Sequence, residues 1–323
     1  MDIIEVINLK KYFACNQSFW GVKRWLKAVD DISFSVKKGG VFSIVGESGS
    51  GKSTVARLLL RLITPTSGKI LFKGKDIQFF KGDSLKEFRK SIQIIFQDPF
   101  ASLNPRMTVY DSISEPLKIH RIVHKMEIKN KVVEILNKVG LQADILNRYP
   151  HEFSGGQRQR ICIARALAIS PEIIVADEPL SALDVSIQAQ ILNILQELQK
   201  NSGISFVFIS HDLRVVKYFS DEVAVMYLGK IVEKAKTEDI FNKPLHPYTI
   251  ELLSSIPVIE KHKDKNFQKY NEKLKVEYEA PDIFNETSGC VYSARCNKKI
   301  EICNTIQPEL KKIEERMISC HLF

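Results

Sequence analysis

Short apolar runs alternate with longer amphipathic stretches along most of the chain. Each run has the near-continuous hydrophobicity of a strand that is buried on both faces of a sheet. The runs comprise residues 41–45, 92–96, 173–176 and 205–209. Between them, apolar residues recur at helical spacing, as over residues 185–200. The alternation predicts an α/β fold with a mainly parallel sheet and helices on its faces, and a mostly helical insert over about residues 106–170.

The composition shifts after Leu245, where residues 246–248 open a predicted helix that runs to about Ser255. Residues 261–275 are polar and rich in lysine, which predicts a flexible surface segment, and the last block holds four of the six cysteines. A chain of 323 residues, 44% of them hydrophobic, is long enough for one large domain and a smaller appendage. We therefore divide the chain into residues 1–255 and residues 256–323.

The formal net charge of +9 permits a nucleic-acid or anionic-membrane partner. Basic and acidic residues are interspersed towards the C-terminus, so a solvated surface is the better interpretation. Residues 14–27 mix aromatic and basic side chains, which fits a nucleic-acid surface or a short packed loop, and we favour the loop. The chain lacks an apolar run of roughly 20 residues and a signal-peptide pattern. We expect a cytosolic protein whose cysteines are reduced or metal-bound.

A glycine-rich segment after the run at 41–45 matches the phosphate-binding pattern G-x-x-x-x-G-K-[ST]. Its glycines let backbone N–H groups turn towards phosphate oxygens, and the following helix adds the positive end of its dipole. We expect Lys52 to reach the β- and γ-phosphates and the Ser53 hydroxyl to ligate Mg²⁺. The correct flanks disfavour the alternative, a glycine-rich turn that matches by chance. The predicted nucleotide contacts are Gly46, Ser48, Gly49, Gly51, Lys52, Ser53 and Thr54.

Two carboxylates, Asp177 and Glu178, follow the apolar run at 173–176. A buried strand would deliver them to the carboxyl edge of the sheet, where open α/β sheets bind ligands. Asp177 is the natural partner of Ser53 for Mg²⁺, and Glu178 is placed to polarise an attacking water as general base. A helix cap is the alternative, and it is disfavoured by Pro179, which follows directly, and by the upstream phosphate-binding segment.

A serine and two glycines at the start of a predicted helix indicate a second anion site. The segment is Ser154, Gly155, Gly156 and Gln157. One γ-phosphate does not need two such sites from the same subunit. The economical solution is that Ser154 and Gly156 of one chain complete the site that Lys52 makes in another.

These segments carry a family resemblance. Ser-Gly-Gly-Gln is the signature of ATP-binding cassette (ABC) proteins, and the other motifs stand in that family's order and approximate spacing. They are residues 46–53, Gln97, Asp177-Glu178, residues 181–184 and His211. The chain therefore resembles an ABC ATPase, although Phe153 stands where many members have leucine. The resemblance implies the P-loop NTPase sheet of the ABC ATPase type, a helical subdomain and a small cysteine-containing C-terminal appendage.

The resemblance also implies roles for single residues. Gln97 looks like the residue that senses Mg²⁺ and couples to the membrane partner, and Asp184 looks like a contact between opposed subunits. His211 looks like the switch that touches the γ-phosphate, with a surface histidine as the alternative. Phe13 or Tyr12 resembles the aromatic residue that stacks on adenine, with a core aromatic as the alternative. The implied catalytic residues are Glu178, His211 and Gln97, and the implied Mg²⁺ ligands are Ser53, Gln97 and Asp177.

Residues 96–108, residues 246–249 and the cysteine tail narrow the resemblance to oligopeptide and dipeptide importers, and most closely to their F-type ATPase subunit. Residues 1–255 then form the nucleotide-binding domain, with a helical subdomain at about 106–170, and residues 256–323 form the C-terminal region. The implied cofactors are ATP and Mg²⁺. The implied partners are a second ABC ATPase of the D type, two transmembrane permease subunits and an extracytoplasmic peptide-binding protein, without nucleic acid. The implied location is peripheral, on the cytoplasmic face of the cell membrane.

Four cysteines lie near the C-terminus, and their spacing does not match the usual pairs of structural zinc sites or the tight run of a bacterial ferredoxin. Spacing alone leaves two interpretations, a metal site or four small buried hydrophobic residues. The resemblance implies a four-iron four-sulfur cluster, with zinc as the alternative. The residues concerned are Cys290, Cys296, Cys303 and Cys320.

Together these features predict an ATP-hydrolysing subunit that energises uptake of oligopeptides or dipeptides. Two alternatives remain: a soluble ABC-type ATPase that acts on nucleic acid in translation or DNA repair, and a redox or iron-sensing module. The single set of motifs and the absence of sustained heptads disfavour the first. Related importers carry nickel or other small solutes, so the cargo stays open, as does the choice between a homodimer and a heterodimer.

Overall fold

The computed structural model describes residues 1–15, 24–255 and 288–323. Within them the strands are β1 (Asp2–Cys15), β2 (Arg24–Lys37), β3 (Val41–Val45), β4 (Ser67–Phe72), β5 (Lys75–Asp76), β6 (Ile92–Ile95), β7 (Ile173–Asp177), β8 (Ser205–Ser210), β9 (Glu222–Tyr227), β10 (Lys230–Lys236), β11 (Lys311–Ile313) and β12 (Arg316–Ile318). The helices are α1 (Lys52–Leu59), α2 (Gly82–Ser91), α3 (Pro99–Ser102), α4 (Val109–His120), α5 (Ile128–Lys138), α6 (Gly155–Leu167), α7 (Val185–Ser202), α8 (Leu213–Phe219), α9 (Thr237–Asn242) and α10 (Pro247–Ser254). Every helix in the described ranges is too short or too polar to span a bilayer.

The larger sheet has the strand order β11-β12-β10-β9-β3-β8-β7-β6. Strands β9, β3, β8, β7 and β6 run parallel, and β10, β12 and β11 extend the sheet in antiparallel pairs. Strands β3, β7 and β8 are buried along their whole length, because helices pack on one face of the sheet and α1 packs on the other together with strands β1, β2 and β4. The predicted α/β fold with a mainly parallel sheet is confirmed.

A second sheet, with the order β2-β1-β4-β5, is antiparallel. Its apolar face shares a core with α1, and the ring of Phe34 in β2 stacks on that of Phe42 in β3 at 4.7 Å between centroids. Residues 14–27 were expected to form a loop, but the hairpin pairs Ala14 with Trp25, so both ends of that range are strand. Residues 16–23 lie outside the described ranges. The two sheets enclose α1 and so fix the segment that precedes it.

The helical insert consists mainly of α4, α5 and α6. Their apolar side chains, such as Ile113, Leu136 and Ile161, belong to the same continuous core as the strands of the larger sheet. The insert is therefore packed directly on the sheet, with α6 in contact with α3, α4, α5 and α7.

The C-terminal residues join the larger sheet. Strand β12 pairs with β10, with Glu233 opposite Ile318 and Lys234 opposite Met317. The Glu233 carboxylate is fully buried and accepts hydrogen bonds from the backbone N–H groups of Leu245 (3.0 Å) and His246 (2.9 Å). Burial raises the pKa of Glu233, and these donors oppose the rise. The four-cysteine region is thus continuous with the main sheet through backbone hydrogen bonds.

His246 caps the N-terminus of α10 with an uncharged imidazole. Its Nδ1 accepts the backbone N–H of Tyr248 at 3.1 Å, and the side chain is 1% exposed. Burial lowers the pKa of His246 to about 4. Protonation would remove the lone pair of Nδ1 that accepts the hydrogen bond from Tyr248, and it would place a charge in a buried position. The imidazole therefore stabilises the fold only while it is neutral.

We therefore expect the free energy of unfolding to fall on acidification. The folded pKa lies below the unfolded value of about 6.5, so the contribution is complete above pH 6.5 and is lost as the pH falls towards 4. The loss between pH 7 and pH 5 should be about 2 kcal/mol. Thermal unfolding across this range should show a weaker pH dependence in His246→Asn, which keeps a capping side chain without a titrating ring. Parallel pH profiles for the two proteins would contradict this assignment.

Candidate nucleotide site

The glycine-rich segment joins β3 to α1 in a turn that requires glycine at two positions. Gly51 has φ +103°, and a Cβ atom there would lie 2.0 Å from the carbonyl oxygen of Ala28. Gly46 has φ +153°, and its Cβ would lie 2.1 Å from the carbonyl oxygen of Met226. The backbone therefore packs against neighbouring strands and directs its N–H groups outward at the start of α1.

Lys52 lies in the centre of this turn. Its side chain is 4% exposed, and Nζ donates to the carbonyl oxygens of Gly46 and Glu47, each at 2.7 Å. Burial lowers the pKa of Lys52, while the nearby carboxylates of Glu178 and Asp177 oppose that shift. An ammonium group held between backbone carbonyls and carboxylates is placed to pair with phosphate oxygens.

Ser53 and Asp177 meet at the carboxyl edge of the sheet. The Ser53 hydroxyl donates to Oδ1 of Asp177 at 3.1 Å, and Asp177 is 8% exposed. Burial raises the pKa of Asp177, and the bond from Ser53 opposes the rise. A hydroxyl and a carboxylate in contact form an oxygen donor set of the kind that Mg²⁺ takes together with nucleotide phosphates, so the residues fit the predicted ion.

Three polar residues follow the ends of neighbouring parallel strands: Gln97, Glu178 and His211. Gln97 and His211 both contact the same carboxylate oxygen of Glu178. Gln97 donates through Nε2 to Oε2 of Glu178 at 3.2 Å, and Nδ1 of His211 lies 3.0 Å from the same atom. Glu178 has φ +47°, and its backbone N–H donates to the carbonyl oxygen of Ile209 at 2.9 Å. This left-handed conformation, uncommon for glutamate, turns the side chain away from the strand and towards Gln97 and His211.

A cavity of about 870 Å³ joins these groups. Six of the predicted contacts line it, together with Gln97, Glu178 and His211; the six are Ser48, Gly49, Gly51, Lys52, Ser53 and Thr54. Gly46 and Asp177 do not line the cavity: Gly46 packs against the backbone of Met226, and Asp177 contacts the lining residue Ser53. The arrangement can bind a polyphosphate along the turn and present a carboxylate to its far end.

An aromatic edge closes the other side of the cavity. Phe13 and Trp25 line it, and Phe13 is 36% exposed. Tyr12 instead donates its hydroxyl to Oδ1 of Asp30 at 2.5 Å, and burial raises the pKa of this phenol. The structure therefore favours Phe13 over Tyr12 as a stacking residue. Trp25 was missed by the sequence interpretation, although the mixture of aromatic and basic residues was the available signal.

The Ser-Gly-Gly-Gln segment is placed apart from this cavity. The Ser154 hydroxyl accepts the backbone N–H of Gln157 at 3.4 Å, and the Gln157 side chain accepts that of Ser154 at 3.1 Å, which caps α6. Asp184 caps α7 by accepting the Ile187 backbone N–H at 2.9 Å. Gly155 and Gly156 lie in the first turn of α6. None of these residues is among the described residues that line the cavity.

The structure does not support the predicted cluster site at the four C-terminal cysteines. Burial raises the pKa of Cys290 to about 11, with further contributions from the nearby thiols of Cys303, Cys320 and Cys296. In the described part of the chain, however, no three His, Cys, Asp or Glu side chains are placed to hold a metal ion. Cys290 and Cys303 belong to the hydrophobic core, and Cys296 packs against it. Cys290 and Cys303 are buried, whereas Cys296 and Cys320 are partly exposed, and the described residues give no support for an iron–sulfur or zinc site.

The C-terminal region reaches the cavity, which the sequence interpretation did not anticipate. Gly289, Val291 and Gln307 line it. Arg295 donates from Nη1 and Nη2 to both carboxylate oxygens of Glu47, at 2.8 and 3.0 Å. These two residues are 248 positions apart, and no local pattern links them.

Comparisons with known proteins agree with this geometry. The profile of the ABC transporter family matches residues 29–181, and that of the oligopeptide/dipeptide transporter C-terminal region matches residues 232–303. The chain is 46% identical over 325 residues to the putative oligopeptide transport ATP-binding protein YkfD of Bacillus subtilis, covering 100% of this chain and 96% of that protein. It is 43% identical to the dipeptide transport ATP-binding protein DppF of Escherichia coli, covering 98% and 93%.

Solved structures show the same fold. The dimeric, post-hydrolysis state of the ATP-binding cassette MJ0796 with ADP and phosphate matches with a TM-score of 0.65 and 29% identity, covering 72% of this chain and 98% of that one. The cbiO1 subunit of a Clostridium perfringens ABC transporter complex matches with a TM-score of 0.65 and 28% identity, covering 84% and 99%. On the strength of its glycine-rich turn, the carboxylates at the end of β7 and these matches, the chain belongs to the ABC transporter family, among the ATPases of oligopeptide and dipeptide transport.

Proposed function

We propose that this ATPase energises import of oligopeptides or dipeptides and works as one half of a dimer that closes on two ATP molecules. The observation that carries the proposal is the separation of two anion sites within one chain. The turn around Lys52 lines the cavity, whereas Ser154 is held at the start of α6 outside it. A second subunit is the simplest source of the missing serine–glycine turn.

ATP binds along the turn between β3 and α1. Backbone N–H groups at the start of α1 and the ammonium of Lys52 pair with the phosphates, and Phe13 stacks on the base. Ser53, Gln97 and Asp177 would hold Mg²⁺, which when bound neutralises charge on the phosphate oxygens. Asp177 lies largely buried beside Ser53, which donates to its carboxylate.

Hydrolysis is assigned to Glu178. Its carboxylate accepts a proton from a water molecule as the water oxygen bonds to the γ-phosphorus, and the β–γ bridging oxygen leaves with ADP. Gln97 and His211 contact the same oxygen of Glu178 and so orient it from two sides. His211 also lines the cavity and can contact the γ-phosphate.

Closure of the dimer couples the two sites. Ser154, Gly155, Gly156 and Gln157 of one subunit cap the nucleotide held by Lys52 of the other, and Asp184 contacts the opposed subunit. ATP stabilises the closed state because it binds that state more tightly than the open one, and hydrolysis reverses the shift.

The names of the relatives, ATP-binding proteins of oligopeptide and dipeptide transport, support membrane partners for this subunit. The partners that we propose are a D-type ATPase, two transmembrane permease subunits and an extracytoplasmic peptide-binding protein, with this subunit on the cytoplasmic face of the cell membrane. Residues 1–255 act as the nucleotide-binding domain and residues 256–323 as the C-terminal region. Phe100, which is 56% exposed on α3 beside Gln97, supports permease docking near this helix and the helical insert.

Crosslinking tests the shared site. With Ser48→Cys on this chain and a cysteine at the signature serine of the second subunit, we expect an ATP-dependent crosslink between subunits in the Glu178→Gln background. Ser202→Cys is a matched control, because Ser202 precedes β8 at the opposite edge of the parallel sheet. The second subunit is either another copy with Ser154→Cys or the related ATPase. Equal yields from the Ser48 and Ser202 variants, or no crosslink with ATP, would contradict the proposal.

A further inference from the structure

The phosphate-binding turn is contacted by the far end of the chain. Glu47, the second residue of the turn, is only partly exposed. The guanidinium of Arg295 donates two N–H···O hydrogen bonds of 2.8 and 3.0 Å to its carboxylate. Arg295 itself is 13% exposed at its side chain. A bidentate guanidinium–carboxylate pair in a partly buried setting fixes both position and orientation.

The same guanidinium also holds α10. Arg295 pairs with the carboxylate of Glu251 in α10, and the Tyr292 hydroxyl donates to that carboxylate as well. Glu251 is therefore held by two groups of the C-terminal region. Arg295 thus neutralises two carboxylates at once, next to a turn that binds a polyanion.

A group of aromatic rings supports these contacts. The Tyr248 hydroxyl accepts the backbone N–H of Glu47 at 2.9 Å. The ring of Tyr248 packs against Tyr227 and Tyr292 at 4.6 and 5.5 Å between centroids. The backbone and the side chain of Glu47 are consequently both held by residues that lie beyond the ATPase motifs.

The C-terminal region also supplies part of the cavity wall. Gly289, Val291 and Gln307 line the space that the phosphate-binding turn lines from the other side. The backbone N–H of Val291 donates to Oε1 of Gln307 at 3.0 Å, which ties two of the lining residues together. These three lining residues and Arg295 all lie within residues 289–307.

We propose that Arg295 is a positioning residue for ATP binding, and that residues 288–323 are a working part of the nucleotide site rather than an appendage to it. Arg295 acts through Glu47, which sets the turn for the triphosphate. The inference rests on the proposed ATPase function and deepens it, because it assigns the C-terminal region a role in binding Mg²⁺–ATP.

The test measures Mg²⁺–ATP affinity in the isolated full-length chain, by competition with a fluorescent ATP analogue. Arg295→Ala and Glu47→Ala should each weaken binding about 10-fold, since either change releases the turn. The double variant should lose no more than either single one, because both remove the same interaction. Lys312→Ala is a matched control, because Lys312 is exposed on the same region, in β11, and should bind ATP like the unaltered chain.

Arg295→Lys separates positioning from charge. Lysine keeps the positive charge but not the two-point contact, so positioning predicts partial recovery of affinity at most. If Arg295→Ala unfolds the region, Glu47→Ala keeps the test decisive, because Arg295 then retains Glu251. Unchanged affinity in Glu47→Ala, full recovery with lysine, or single losses that multiply in the double variant would overturn the inference. Failure of the unaltered chain to bind ATP would instead overturn the proposed function.

Discussion

Replacing Glu178 with glutamine is expected to lower ATP turnover by about 10²- to 10⁴-fold while ATP binding survives. Glutamine keeps the size of the side chain and can still contact Gln97 and His211, but its amide cannot accept the proton of the attacking water. The phosphate-binding turn, which holds the nucleotide, is untouched. Steady-state hydrolysis by the assembled transporter and nucleotide binding under the same conditions measure the two effects.

The control for this substitution is Glu197→Gln, the same chemical change on the exposed face of α7. It should leave both turnover and binding as they are. Because nucleotide enters but is not cleaved, closed dimers should accumulate in Glu178→Gln. Turnover that matches the Glu197→Gln protein would remove Glu178 from the chemical step.

Replacing Gly51 with alanine is expected to abolish detectable ATP binding. A side chain at φ +103° carries backbone strain of about 1–3 kcal/mol. In addition, the new Cβ would lie 2.0 Å from the carbonyl oxygen of Ala28 and 2.9 Å from Cε of Met226. The backbone oxygen cannot give way without moving β2, so the turn itself must shift and its N–H groups lose their alignment.

Gly74→Ala is the control that separates the effect of backbone strain from that of the collision between the new Cβ atom and a neighbouring carbonyl oxygen. Gly74 has φ +75°, but a Cβ atom there would have no neighbour within 4 Å, and the residue lies in the turn between β4 and β5. It should lower the melting temperature slightly and leave ATP affinity unchanged. Calorimetric titration with ATP, together with thermal unfolding, checks both variants, and similar ATP affinities in the two would refute the argument from collision.

The parts of the site that the sequence predicted are those whose chemistry is local. Three short segments indicate their roles from a few neighbouring residues. They are the phosphate-binding turn, the strand that ends in Asp177 and Glu178, and the strand that precedes His211. Parallel strands bring their carboxyl ends to one edge, so the convergence of Gln97, Glu178 and His211 follows from three separate short patterns.

The parts that were missed or left open depend on contacts between distant segments. The sequence left Phe13 and Tyr12 as alternatives for the stacking residue, and Asp30, which accepts the tyrosine hydroxyl, favours Phe13. The pairing of β1 with β2 turns an expected loop into a strand and brings Trp25 to the cavity.

The cysteines illustrate the same limit. Their spacing in the sequence leaves their arrangement in space undetermined, and packing against the core accounts for Cys290, Cys303 and Cys296. Arg295 gave no signal at all, because an arginine in a lysine-rich region looks like part of a solvated surface until Glu47 and Glu251 are placed beside it.

The contact between residue 295 and residue 47 has a consequence for synthesis, because the two residues are made far apart in time. Translation runs from the amino terminus, so the phosphate-binding turn leaves the ribosome long before the strand β12 that holds the last region in place. A nascent chain that has already folded its parallel sheet would still lack one wall of its cavity. With Arg295 positioning the turn as proposed, the subunit would gain its full affinity for ATP only after the last region has left the ribosome.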